Sequence, residues 1–213
     1  MRRWVCLLSA LSLAATPAWA EVLAEWTFET SVPITAGPHA AEGGVYGGAA
    51  TGFHADSAAV YSNPVGNGSP ESFSSNTWGA GDYYQFETST SGYQGITIQW
   101  DQTRSSTGPG SFDLEYSTDG VSYSTLVDDY TIDAITWSSV TYNALSTFGP
   151  VAGPAGLDDQ ATVLFRLTAQ APGSSAAGSN RVDDIIISGT LIPEPASLAL
   201  LSLGALAAAR RRS

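Results

Sequence analysis

From Leu23 to Ser188 the chain is a series of short runs alternating apolar and polar residues, and no stretch of useful length follows the 3.6-residue helical period. Such a chain has to bury its apolar side chains on sheet faces. The alternation predicts strands over Leu23–Glu29, Tyr83–Thr88, Gly95–Asp101, Ser111–Ser117, Ser122–Val127, Ile135–Tyr142, Thr162–Thr168 and Val182–Ser188. Val, Ile, Thr, Tyr and Trp fill these runs, and 22 glycines with 11 prolines interrupt them. The expected fold class is all-β, a two-sheet β-sandwich with jelly-roll character spanning residues 21–191.

One hairpin is signalled directly, because Thr118-Asp119-Gly120 separates two alternating runs and Asp-Gly suits the positive φ angles of a tight turn. Loops are expected at Thr30–Ala59, Asn63–Ala80, Ser146–Gln160 and Ala171–Asn180.

The two ends read as targeting. Arg2 and Arg3, an apolar run from Trp4 to Ala15, Pro17 and the small residues Ala18 and Ala20 form a secretory signal peptide over residues 1–20, with cleavage expected before Glu21. At the other end Pro193-Glu194-Pro195 precedes an apolar stretch from Ala196 to Ala209 and the cluster Arg210-Arg211-Arg212. The prolines end the preceding strand and hold Glu194 extended. Fourteen apolar residues span about 21 Å as a helix, short of a hydrocarbon core of roughly 30 Å, so the segment reads as a temporary tether. The terminal arginines stay cytoplasmic by the positive-inside rule, which places the region before them across the inner membrane.

These three elements in this order resemble the PEP-CTERM sorting domain of Gram-negative bacteria, covering residues 192–213. The resemblance implies recognition by an exosortase, processing near Pro193-Glu194-Pro195, and delivery to the cell surface or an exopolysaccharide matrix.

Charge and cysteine usage narrow the function further. The only cysteine, Cys6, lies in the signal segment, so disulfides and thiolate metal sites are not expected in the exported part. That part holds three arginines, Arg104, Arg166 and Arg181, against nineteen carboxylates, a net of about −16, which repels phosphate backbones and disfavours nucleic-acid binding. Catalytic signatures are sparse: His39 and His54 sit in loop sequence without a Gly-x-Ser-x-Gly elbow, and no P-loop, zinc-helix or EF-hand pattern occurs. Of the acid pairs, Asp128-Asp129 and Asp158-Asp159 read as surface and turn residues, whereas Asp183-Asp184 opens the apolar strand Ile185-Ile186-Ile187. A carboxylate there is costly unless it is paired or metal-bound, and Arg181 is a competing ion-pair partner.

The segments Gly81-Asp82-Tyr83-Tyr84-Gln85-Phe86, Phe112 to Gly120 and Asn180 to Gly189 are similar to extracellular jelly-roll modules such as carbohydrate-binding and adhesion domains. The resemblance implies a structural calcium between the first and last strands, with Glu29, Asp183 and Asp184 as ligands and Glu25 as a further candidate. Trp78, in a Ser/Gly/Asn loop, is the candidate for stacking on a sugar ring, against a loop tip folded onto the sandwich. The expected function is non-catalytic association with extracellular polysaccharide or biofilm matrix. A secreted glycan hydrolase or lyase and a purely structural surface protein are the alternatives.

Overall fold

A computed structural model describes residues 19–193; Ala18, Glu194, Pro195 and the arginines 210–212 lie outside the described residues. Twelve strands form: β1 (Ala20–Trp26), β2 (His39–Ala40), β3 (Ala49–Phe53), β4 (Tyr61–Ser62), β5 (Phe73–Ser75), β6 (Tyr83–Thr88), β7 (Tyr93–Arg104), β8 (Ser111–Ser117), β9 (Ser124–Thr131), β10 (Thr147–Ala152), β11 (Val163–Ala169) and β12 (Asn180–Leu191). They build two six-stranded sheets with antiparallel pairing throughout. The first runs β10-β7-β12-β5-β4 with β1 also paired to β12, and the second runs β2-β3-β6-β11-β8-β9. The expected two-sheet sandwich is therefore present.

Strand period explains the core. Trp26, Ile98, Val182 and Ile187 from the first sheet and Tyr84, Phe86, Phe165 and Leu167 from the second are fully buried, their alternate neighbours facing outward. Aromatic rings close the gap between the sheets, Trp26 on Phe86 at 5.4 Å and Phe73 on Tyr84 at 4.8 Å. Each buried ring of this size contributes about 1.5–3 kcal/mol from removal of apolar area.

Several strands were not visible in the sequence. β2, β3, β5 and β10 fall within predicted loops and β4 between two of them, because Ala-Ala-Thr-Gly-Phe and Thr-Phe-Gly-Pro-Val-Ala lack the branched apolar alternation of a half-buried strand. Conversely, the strand expected at Ile135–Tyr142 does not form, and only an isolated bridge joins Ser138 to Thr141. Beside the end of β7 this segment is held by a side chain and not by a ladder, Thr103 Oγ1 donating to the Ile135 carbonyl at 2.7 Å. Its Trp137 is instead buried, donating to Ser146 Oγ at 2.9 Å. The Asp119-Gly120 hairpin forms, but as a longer loop: Tyr116 pairs with Ser124, Gly120 alone of the two takes a positive φ, and Asp119 Oδ1 accepts the backbone N–H groups of Val121 and Ser122.

A bulge in β12 positions the chemistry of the first sheet. Between Asp183 and Ile186 the strand carries one more residue than β7 does between Asp101 and Gln99, and Asp184 absorbs it at a φ of 46°.

Candidate functional site

The outer face of the second sheet carries a continuous row of aromatic and cationic side chains. Tyr84, Phe86 and Thr88 of β6 point inward, so Tyr83, Gln85 and Glu87 point outward. Register places Phe53 of β3 beside Tyr83, and Arg166 of β11 beside Gln85 and Glu115 of β8. Phe53 stacks on Tyr83 at 5.0 Å and 18°, and the Arg166 guanidinium lies 3.9 Å from the Tyr83 ring and 3.6 Å from the Tyr123 ring. The clamp is fixed by Gln85, whose Oε1 accepts from Arg166 Nε and Tyr123 O–H, each at 2.9 Å. Both terminal nitrogens of Arg166 are left without a hydrogen-bonded protein acceptor among the described residues. Each cation–π contact contributes about 0.5–1 kcal/mol at an exposed site, enough to hold a long side chain in one rotamer. Burial pushes the Tyr123 phenol up, and the neighbouring Arg166 charge pulls it back.

None of these residues was singled out in the sequence. The usable signal was Tyr83-x-Gln85-x-Glu87 alternating with a buried Tyr84-x-Phe86, and a lone arginine placed mid-strand on the polar face of β11.

Trp78 is not a stacking ring. It is 4% exposed, donates from Nε1 to the Ser75 carbonyl at 2.9 Å, and packs edge-on against His54, Tyr84 and Phe112. The loop that carries it folds onto the sandwich, which removes the face a sugar would need.

His54 is also not a solvated loop residue. Its Nδ1 lies 2.8 Å from Asp82 Oδ2 and its Nε2 2.9 Å from Ser75 Oγ, with both side chains of the His54–Asp82 pair nearly inaccessible. Burial lowers the His54 pKa, opposed by the hydrogen bond and charge of Asp82. The order Ser, His, Asp matches the connectivity of a hydrolytic triad. However, Ser75 Oγ faces the interior and is 2.8 Å from Tyr84 O–H of the opposite sheet, so no face is open to a carbonyl carbon. This chain of hydrogen bonds joins the two sheets.

The acids at the first and last strands come together electrostatically without forming a chelate. Asp183 is fully buried, its Oδ2 accepting from Asn67 N–H at 2.9 Å and Ser69 Oγ at 2.8 Å, and its Oδ1 from Asp184 N–H at 3.0 Å. Gly66 stands where a Cβ would meet Asp183 Oδ2 at 2.1 Å, so the loop closes over the carboxylate only without a side chain there. Asn67 is the hub, its Nδ2 also donating to Asp101 at 2.6 Å and its Oδ1 accepting from Asn143 N–H. Glu29 accepts Glu71 N–H at 3.0 Å. Burial first, and then the charge of Asp184, pushes Asp183 up to about 8. Burial, followed by the charges of Asp101, Glu25 and Glu29, pushes Asp184 up to about 6. Arg181 pairs with neither, donating instead to Val65 O at 3.2 Å. Among the described residues no group of three His, Cys, Asp or Glu side chains is arranged to hold a metal ion. Asp183 thus acts as a loop anchor, while the Asp184 side chain has no donor among the described residues.

At the chain ends, Ala20 opens β1 opposite Thr190, and Ile192 N–H donates to Gly92 O at 2.8 Å just before the exposed Pro193. Residues 191–213 match the family model described as the PEP-CTERM protein-sorting motif. The chain carries a PEP-CTERM sorting motif. Proteins with this motif are exported and sorted to the cell surface by exosortase, and the motif implies exosortase processing here. Its first residue, Leu191, is the last residue of β12. Among the described residues no helix is long and apolar enough to cross a membrane.

No curated protein matches the chain. Among solved structures it is similar to the K3 cleaved adhesin domain of Lys-gingipain from Porphyromonas gingivalis, at 15% identity and a TM-score of 0.48 over 80% of this chain and 99% of that one. It is also similar to the N-terminal CBM22-1-CBM22-2 tandem domain from Paenibacillus barcinonensis Xyn10C, at 13% identity and a TM-score of 0.47 over 85% of this chain and 48% of that one. A third is the N-terminal cellulose-binding domain of Cellulomonas fimi β-1,4-glucanase C, at 13% identity and a TM-score of 0.38 over 68% of this chain and 90% of that one.

Proposed function

We propose that this protein is a surface-sorted, non-catalytic, jelly-roll-type module that binds extracellular polysaccharide of the biofilm or exopolysaccharide matrix through the outer face of its second sheet. The observation that carries this reading is the Phe53–Tyr83–Arg166–Tyr123 row. The exposed Phe53 ring suits the apolar face of a pyranose unit, Tyr83 and Tyr123 are held at fixed spacing beside it by Arg166, and Gln85, Glu115 and the free nitrogens of Arg166 supply hydrogen-bonding groups. The sorting motif supports the location, since a protein delivered to the envelope surface meets glycans there.

A structural calcium near Asp184 is part of the same proposal: it would need Glu25 and Glu29 to move into a chelate that they do not form here, and its motive is the carboxylate of Asp184, raised by burial first and then by the charges of Asp101, Glu25 and Glu29.

Affinity electrophoresis of the purified full-length protein through gels containing neutral polysaccharides tests the proposal. Retention is expected, with loss of about tenfold or more in affinity for Tyr83→Ala combined with Tyr123→Ala and no release of reducing ends. Time-dependent depolymerisation abolished by one carboxylate or by Ser75→Ala would establish the hydrolase instead. Absence of both retention and turnover across the host's glycans would leave a structural surface protein.

A further inference from the structure

The outer face of the first sheet holds a second, chemically different feature. Arg181 projects from β12 between Ser74 of β5 and Thr103 of β7, and a cavity lies on each side of it, about 210 Å³ toward β4 and β5 and about 380 Å³ toward the end of β7. Serines line the smaller, including Ser62 and Ser179, and serines and threonines the larger, including Ser106 and Thr136. Arg104 lines the larger cavity, so two of the three arginines among the described residues border this trough. None of the nineteen carboxylates lines either cavity.

That distribution is unusual for a region with a net charge of about −16. Among the described residues the only charge pair within 4.0 Å is His54–Asp82, so Arg181 is a half-buried cation with a single backbone acceptor, Val65 O. Burial without a counter-charge costs free energy unless something supplies the counter-charge. The nearest acid on the same strand, Asp183, is turned into the loop that carries Asn67 and Ser69 and lies outside the trough. Arg104 directs Nε to the Ile132 carbonyl at 2.7 Å and Nη1 to the carbonyls of Ser105, Ser106 and Gly108, so Arg181, with one backbone acceptor, is the more open of the two forks.

We propose that this trough is a second binding site, on the face opposite the aromatic row, and that it takes a uronate-containing acidic polysaccharide. A guanidinium fork matches a carboxylate in planar, bidentate fashion. The hydroxyl-lined cavities extend on both sides of that one cation, which suits a polyhydroxylated chain bearing carboxylates at intervals. Repulsion from the rest of the surface decays over a Debye length of about 8 Å at physiological salt, so local contacts decide binding there.

Polygalacturonate, its fully methyl-esterified neutral form and inorganic phosphate are the probes, used with the full-length protein at physiological salt. Polygalacturonate is expected to bind about tenfold more tightly than the ester, and Arg181→Gln to remove that preference. Ser62→Asp, at an exposed position of the short edge strand β4, places a negative charge in the smaller cavity and should weaken polygalacturonate binding without touching the arginine. Tyr83→Ala should leave the preference for polygalacturonate over the ester unchanged, whatever it does to binding of both, which separates this site from the aromatic row. Equal binding of polymer and ester, retention of the preference in both Arg181→Gln and Ser62→Asp, or its loss in Tyr83→Ala would overturn the proposal. Displacement of the polymer by low millimolar phosphate would reassign the trough to small anions and overturn it equally.

Discussion

Neutralising Asp184 should stabilise the protein above about pH 6, by about half as much near pH 5, and do little below about pH 3.8. The folded-state pKa is pushed from 3.8 to about 6, chiefly by burial and then by the charges of Asp101, Glu25 and Glu29. An acid whose pKa is raised on folding binds its proton more tightly in the native state. Its contribution to stability is fully present below about pH 3.8 and is lost as pH rises through about 6. A shift of about two units corresponds to about 3 kcal/mol, and partial solvent access with counter-ion screening reduces this to about 1–2 kcal/mol. For a region of this size that is a change of about 3–6 °C in Tm. Asp184→Asn keeps the shape, and asparagine tolerates the φ of 46° at this position. Thermal unfolding of parent and variant from about pH 3.5 to pH 8 is the assay, with the difference between the two as readout. That difference cancels the opposing contribution of His54, whose lowered pKa gives stability that is lost as pH falls. A variant that melts with the parent at pH 8, or below it, would refute the argument. Millimolar calcium against chelator adds a second arm: the parent should gain stability at pH 8 and Asp184→Asn should gain less. No gain in the parent would remove the calcium site.

Two further outcomes follow from positions described above. Trp78→Ala should cost about 3–5 kcal/mol in chemical denaturation, because it empties a fully packed ring position between His54, Tyr84 and Phe112. A loss below about 1 kcal/mol would mean the ring is not part of the core. Replacing Pro193-Glu194-Pro195 with alanines should leave the protein in the inner-membrane fraction, since the apolar tail is unchanged while the recognition segment is gone. Surface delivery at the parental rate would show that sorting does not read these residues.

What the sequence disclosed depended on how strongly burial writes itself into residue pattern. β6, β8, β11 and β12 have one face against the opposite sheet, so their alternation was plain and their bounds fell within a few residues of those expected. β4 and β5 are two and three residues long, too short for any period to show. Trp78 misled because local composition says loop, while burial of a loop tip is decided by partners 30 or more residues away, such as Phe112. The same holds for His54 with Asp82 and for Asn67 with Asp183, whose contacts span 28 and 116 positions. Asp183 and Asp184 were found because carboxylates before three isoleucines violate the expected pattern. Their different roles, loop anchor and uncompensated charge, required the bulge that turns them to different surroundings.

The placement of the sorting motif has a mechanical side. Leu191 ends β12, which is hydrogen-bonded to β7 along its length and on its other edge to β5 at one end and β1 at the other. When the tail is held and the sandwich is pulled away from it, the load enters through its most flanked strand. Along the strand axis, the ladders on both edges share that load in parallel and must slip together. A tether leaving from the two-residue edge strand β4 would instead be peeled one bond at a time.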